Sequence, residues 1–455
     1  MAWAYSIPHL CLRPLILRAL ALSHSNSQKT AANTLYRTLW RWHFYAGLLC
    51  IPFIISLSIT GAIYLFKPQI ENWINRDYQN LAISGQRTSP AEQIAAALKT
   101  QPNAQFASYR IPEGNAHAVV ITLKAQGKTT LVTINPYDLT VLKSINKNDQ
   151  FIRIVRTLHG ELMLGNFGSV VIELAGCWAI VMVITGLYLW WPRNAAGLAG
   201  IIYPRLTQGH RKFWRDIHAV TGFWLAFFTL FLLISGLPWA LVWGSAFKEL
   251  RSLGQPTAIQ QDWEISQPLM ATTNNWENNF TPLLLQKSEQ LKFAPPVEIS
   301  PDNKSPQYWK VSSGHQNRML RADAWFDGQT HKLIKQQHFS DKKNIDKAIG
   351  IGIAAHEGHL FGWANQLLGL VVTLGLILVS ISGFILWRKR KPESVLGAPP
   401  ILPNTQVSKT VLLIILVLAV LLPVLAMSLI VLFVLEKWVF RKIKPVSLWL
   451  GLSKS

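Results

Sequence analysis

Cysteine is scarce in this chain: 455 residues carry three, at Cys11, Cys50 and Cys177. The two long hydrophilic stretches, 67–168 and 244–364, contain none, which excludes disulfides, thiolate metal centres and thioether-linked haem there. Acidic residues are also few, 23 against 44 Lys and Arg, for a formal net charge of +21. No glycine-rich dinucleotide fingerprint follows a predicted strand, so no flavin or nicotinamide domain is expected. The stretch 10–22 is apolar but broken by Arg13, Pro14 and Arg18, so it makes neither a signal-peptide core nor a span.

Apolar residues, in contrast, make up half of the chain, with 19 Trp and a mean hydropathy of +0.22. This composition excludes an ordinary soluble protein of this size. A helix needs about 20 apolar residues to cross a roughly 30 Å hydrocarbon core. Five stretches qualify: 42–66, 169–191, 216–243, 365–387 and 410–436.

The tail 1–41 is basic with no acidic residue, the loop 192–215 carries Arg205, Arg211 and Lys212, and the loop 388–409 opens Arg388-Lys389-Arg390-Lys391. The positive-inside rule makes all three cytoplasmic, and 67–168 and 244–364 outer. The positive charge is therefore a topology signal and not a nucleic-acid patch. The segment 437–455 is ambiguous: counting spans puts it outside, whereas Lys437, Arg441, Lys442 and Lys444 put it inside, and Pro423 is placed to kink the fifth helix. The side of the C-terminus and the role of helix five stay open.

A repeat organises the chain. His159 is followed by Gly165, Gly186 and Trp190 at offsets 6, 27 and 31, and His356 by Gly362, Gly383 and Trp387 at the same offsets. His43 precedes Gly47 and Gly61 by 4 and 18 residues, as His218 precedes Gly222 and Gly236. Two copies of a helix, outer domain, helix unit in the same direction predict a pseudo-twofold axis along the membrane normal. Each outer segment reads as a small α+β module: a helix from Pro90 and strands at 118–123 and 131–134 in the first, strands at 308–311 and 324–326 in the second.

The repeat selects His43, His159, His218 and His356, one for each helix of a four-helix core. Symmetry pairs His43 with His218 near one surface and His159 with His356 near the other. Paired imidazoles on facing helices can hold a haem iron by two axial ligands. Two haems, one near each surface, could pass an electron across a core that one cannot span. The glycines Gly47, Gly61, Gly186, Gly222, Gly236 and Gly383 then give room for a macrocycle, or for close helix packing. Glu173, inside a span, is either a snorkelling group or a functional contact. The run His356-Glu357-Gly358-His359 is one residue short of the zinc-protease signature, but His359 has Leu162 as its counterpart in the first copy and lies outside the repeated set.

The runs Leu158-His159-Gly160-Glu161, Thr185-Gly186-Leu187-Tyr188-Leu189-Trp190-Trp191-Pro192-Arg193, Phe213-Trp214-Arg215-Asp216-Ile217-His218 and Ala355-His356-Glu357-Gly358 resemble the PepSY-associated transmembrane family of iron-regulated inner-membrane proteins of Gram-negative bacteria. The resemblance implies PepSY-like periplasmic modules and two b-type haems, with haem iron held through His43, His159, His218 and His356. His359 and His210 are alternative ligands. It further implies a ferric-siderophore reductase. With no dinucleotide domain expected in the chain, the electron should come from a separate cytoplasmic reductase or membrane quinol, and the charge distribution points to no nucleic-acid partner. A membrane-anchored PepSY binding or regulatory protein and a siderophore permease are the competing readings. The chelate and the oligomeric state are not legible.

Overall fold

The computed structural model describes residues 12–193, 197–253, 276–399 and 409–452; Cys11 lies outside the described residues. The first half of the chain runs α1 (Leu12–Leu65), α2 (Lys67–Ile74), α3 (Pro90–Lys99), β1 (Gln105–Ile111), β2 (Val119–Ala125), β3 (Lys128–Ile134), β4 (Val141–Asn146), α4 (Phe151–Glu161) and α5 (Gly165–Trp190). The second runs α6 (His210–Gly236), α7 (Leu241–Ser252), α8 (Trp276–Asn279), α9 (Pro282–Gln290), β5 (Val297–Pro301), β6 (Tyr308–Ser313), β7 (Ala322–Asp327), β8 (Leu333–His338), α10 (Asn344–His356) and α11 (Trp363–Arg390). Then follow α12 (Lys409–Leu421), α13 (Pro423–Leu435) and α14 (Lys444–Trp449). Five helical stretches are long and apolar enough to cross a membrane: Thr34–Leu65, Gly165–Trp190, His210–Trp239, Trp363–Arg390 and Pro423–Phe440. Contacts divide the chain into one unit of residues 1–54, 174–230 and 376–455 and a second of 55–173 and 231–375.

The second unit holds the strands. The expected separate modules are one antiparallel sheet of eight strands, in the order β4-β3-β2-β1-β5-β6-β7-β8. Alternation explains the buried face: Val119, Ile121 and Leu123 of β2 are fully buried, and a hairpin at Gln126-Gly127, both with positive φ, sets β2 against β3. Ser89 and Glu92 form a capping box that starts α3. β1 and β5 join the halves through Tyr109↔Ile299, Arg110↔Glu298 and Ile111↔Val297. Ile94 of α3, Leu284 of α9, Tyr109, Phe280, Ile299 and Trp309 belong to one apolar cluster. Neither half could bury these residues alone.

The first unit settles where the C-terminal segment lies. The expected single helix over 410–436 is two helices, broken at Leu422 ahead of Pro423, because proline removes a helix donor and restricts its predecessor. The segment then returns to the Arg41 end of α1. Tyr45 Oη donates to the Leu450 carbonyl at 2.5 Å, Arg41 donates to the carbonyls of Gly451 and Pro399, and Leu396 N donates to the Trp449 carbonyl at 2.9 Å. Residues 449–451 thus share an end with the loop that follows Arg388-Lys389-Arg390-Lys391.

Replacing Ile299 by Ala should cost about 2–5 kcal/mol and, because the core is shared, lower hydrogen-exchange protection in β1–β4 as well as β5–β8. Protection lost in β5–β8 alone would show two independent modules.

Candidate functional site

Each histidine of the repeat rests in the same cradle on a neighbouring helix: a backbone carbonyl, a hydroxyl three residues later, and a glycine directly after it. His43 Nδ1 donates to the Met182 carbonyl and to Thr185 Oγ1, both at 3.1 Å, and His218 Nδ1 to the Val379 carbonyl at 3.0 Å and to Ser382 Oγ at 3.3 Å. His159 Nδ1 meets Thr60 Oγ1 at 2.9 Å and the Leu57 backbone. His356 Nδ1 meets Ser235 Oγ at 2.8 Å and the Leu232 backbone.

This geometry fixes the tautomer. A carbonyl can only accept, and each hydroxyl gives its own proton to an earlier carbonyl of its helix: Thr185 to Val181, Ser382 to Val379, Thr60 to Ser56 and Ser235 to Phe231. Nδ1 must therefore carry the proton. Nε2 keeps its lone pair, as a metal-ligating imidazole requires.

The glycines explain the remaining spacing. A Cβ on Gly186 would lie 3.1 Å from His43 Cε1, one on Gly383 3.1 Å from His218 Cε1, one on Gly61 3.5 Å from His159 Cε1 and one on Gly236 3.7 Å from His356 Cε1. At Gly186 and Gly383 a Cβ would crowd the imidazole, whereas at Gly61 and Gly236 it would make ordinary contact. Gly47, Gly186, Gly222 and Gly383 also line open space.

That space is a cavity of about 1480 Å³ in the first unit, larger than the roughly 300–1,000 Å³ of ordinary ligand pockets. His43 and His218 line it together with Ile51, Leu225 and Leu376, and Arg193, Arg211 and Arg390 also reach it. The two imidazole centres are 6.3 Å apart with planes at 80°. Metal–imidazole bonds of about 2 Å on opposite sides of one ion put ring centres roughly 6 Å apart. Apolar walls, room and cations for carboxylates all fit a haem at this pair.

His159 and His356 differ from expectation in their placement. Neither stands on a spanning helix: His159 is on α4, cut from α5 by left-handed residues at Leu162, Met163 and Gly165, and His356 ends α10, cut from α11 by Gly358 and Gly362. Gly165 and Gly362, the first glycines of the repeat, have φ of +59° and +60°, a conformation that glycine adopts without strain. Burial pushes both imidazoles down to about 4, and His159 adds to the effect on His356. Both are neutral at pH 7 and able to ligate.

The other polar candidates have different roles. His359 lies in the turn after α10, and His210, exposed at the start of α6 about two turns before His218, lines the same cavity as His43 and His218. Among the described residues no group of three or more His, Cys, Asp or Glu converges on a metal position. The Glu173 carboxylate accepts from the backbone N–H groups of Val242 at 2.8 Å and Trp243 at 2.9 Å, so it caps the first turn of α7 and does not snorkel to the surface. Sequence reasoning missed the cradle hydroxyls Thr60, Thr185, Ser235 and Ser382, although each stands next to a repeat glycine.

Fold and site together define a multi-pass helical membrane protein with a β-sheet domain. The model of the PepSY-associated TM region matches residues 40–390, and the chain belongs to that family. The match ends before α12. Comparison with curated proteins finds no match.

Replacing Glu173 by Ala leaves two N–H groups of α7 without acceptors and should lower thermal stability in detergent by about 1–3 kcal/mol, whereas Glu173→Gln, which keeps one acceptor oxygen, should lose less. Equal losses would contradict the capping role.

Proposed function

We propose that this chain is a two-haem electron-transfer protein of the bacterial inner membrane that reduces a ferric chelate, a siderophore complex, on the periplasmic side. One observation carries the reading: four imidazoles in duplicated register, two in each unit, each with Nδ1 committed to a cradle and Nε2 without a hydrogen bond among the described residues. His43 and His218 are the ligands of one b-type haem, and His159 and His356 of the other. Bound haem supplies one-electron chemistry, with potential set by axial ligation and burial. No side chain need act as nucleophile or general base.

The residues have separate tasks. The imidazoles ligate, and the carbonyl and hydroxyl of each cradle orient the ring and raise its basicity. The apolar walls exclude water. In the balance of the reaction, the chelated ferric iron gains one electron and leaves as ferrous iron, and a cytoplasmic reductase or membrane quinol supplies that electron. The repeated histidines and glycines favour an origin by duplication, with PepSY-like halves in the shared sheet.

A dithionite-reduced minus oxidised visible spectrum of the purified protein, with haem counted per chain, tests this reading. Two six-coordinate b-type haems are expected, and His43→Ala or His218→Ala should alter one while His159→Ala or His356→Ala alters the other. A folded, colourless protein from haem-replete cells would leave the membrane-anchored binding protein as the better account. Thr185→Val removes one acceptor at His43 and should loosen the haem at that pair about tenfold, read as transfer to a haem-free acceptor protein. Unchanged retention would remove the cradle from the account.

A further inference from the structure

The cavity of the first unit is apolar at one end and charged at the other. Ile54 of α1, Ala226 of α6 and Leu376 of α11 line the apolar end. At the opposite ends of these helices stand cations that also line it: Arg211 and Arg215 early in α6, Lys389 and Arg390 at the close of α11, Arg193 just beyond α5 and Arg205 in the loop that follows. Among the described residues no Asp or Glu lines the cavity.

Two of these cations are already neutralised. Arg205 and Arg215 share the buried carboxylate of Asp216, each at 2.7 Å. Arg193 and Arg390 have no carboxylate partner among the described residues and rest instead on aromatic rings. The Arg193 guanidinium lies 4.4 Å from the centre of the Tyr36 ring and 4.9 Å from that of Tyr188. That of Arg390 lies 4.8 Å from the centre of the Trp40 ring and 5.2 Å from that of Phe44. The Tyr36 and Trp40 rings are themselves 6.5 Å apart. Trp40 stands about one helical turn before His43 and Tyr36 about two, and all three line the cavity. Arg211 and Lys389 are exposed and rest on no ring among the described residues.

A ring face attracts a guanidinium but accepts none of the hydrogen bonds at its edge. Arg390 shows the shortfall. One terminal nitrogen donates to the Gly397 carbonyl at 3.3 Å, while Nε is buried with no hydrogen-bond partner among the described residues, an arrangement that costs free energy until an acceptor arrives. The positive-inside rule explains why this end is rich in Lys and Arg. It does not explain why two arginines turn inward over the rings beside His43.

We propose that Arg193 and Arg390 bind the carboxylates of the haem held by His43 and His218, so that the macrocycle sits with its carboxylate edge at the Tyr36 and Trp40 end and its apolar edge against Ile54 and Leu376. The proposal rests on the electron-transfer reading above and adds a control of potential to it. Haem carboxylates left unpaired favour the ferric form, which carries one more positive charge than the ferrous form. A guanidinium, charged at every physiological pH, cancels their field through charge-assisted hydrogen bonds. The haem at this pair is therefore easier to reduce than axial ligation alone makes it.

The test is a redox titration, followed in the visible spectrum, of the full-length protein in detergent loaded either with haem or with its dimethyl ester. The haem of this pair is the one whose spectrum changes in His218→Ala. With haem, Arg390→Gln and Arg193→Gln should each lower the ratio of reduced to oxidised haem at a fixed potential about tenfold, equivalent to 59 mV for one electron, and leave the other haem unchanged. Arg390→Lys, which keeps the charge, should recover most of that shift. With the ester, which has no carboxylate to pair, neither substitution to Gln should move the potential. Lys391→Gln removes a charge at the same end but outside the cavity lining, where Lys391 lies over Trp387 at 5.4 Å, and should move neither. A shift as large with the ester as with haem overturns the proposal, because the arginines then act without the carboxylates. No shift with haem also overturns it and leaves the arginines to another anion, such as a lipid phosphate. A folded wild-type protein that takes up neither haem nor ester sinks the electron-transfer reading itself, and this proposal with it.

Discussion

The site depends on one interaction, the hydrogen bond from each histidine Nδ1 to a hydroxyl that has already given its own proton away. That bond decides which nitrogen is protonated, and so which is free to bind metal. A glycine next to the hydroxyl lets the ring lie against the helix; at Gly186 and Gly383 a Cβ would already crowd it at 3.1 Å. A carbonyl one turn earlier completes the cradle. Two copies of this arrangement tie α1 to α5 and α6 to α11, and the other two tie the short helices α4 to α1 and α10 to α6, so packing these helices and orienting the imidazoles are one event.

The two histidine pairs sit in different surroundings for physical reasons. His43 and His218 belong to continuous spanning helices and face a large apolar cavity that arginines also line. His159 and His356 stand on short helices set off by left-handed turns, which lets their rings leave the direction of the spans that follow. A helix running straight through Leu162 would carry His159 around its own axis and away from Thr60. The sheet gives this end a rigid base, because strands from both halves share one core.

Much of this was legible in the sequence, and the rest failed for identifiable reasons. Offsets to glycine picked out the four histidines, since contacts repeated in space repeat in register. The same offsets could not say what the glycines face, because a glycine beside a ring and a glycine beside a macrocycle leave the same mark. The break after α4 was hidden because Leu162 and Met163, not glycine alone, take positive φ there. β1 and β5 went unread: Gln105–Ile111 is interrupted by Ala107 and Ser108, and Val297–Pro301 is short and ends in proline, yet these strands join the halves. The side of the C-terminus rests on Tyr45 meeting Leu450, a contact between residues 405 positions apart that no local pattern announces.

The central claim is that His43 and His218 would hold one haem iron between them, and the low-temperature electron paramagnetic resonance spectrum of the oxidised protein tests it most directly. Imidazole planes at 80° would leave the two orbitals of a bound iron that interact with them nearly degenerate. The account therefore predicts a low-spin ferric signal of very large anisotropy that disappears in His43→Ala and in His218→Ala. A wild-type spectrum with only high-spin ferric haem, or a strongly anisotropic signal that survives both substitutions, would contradict it.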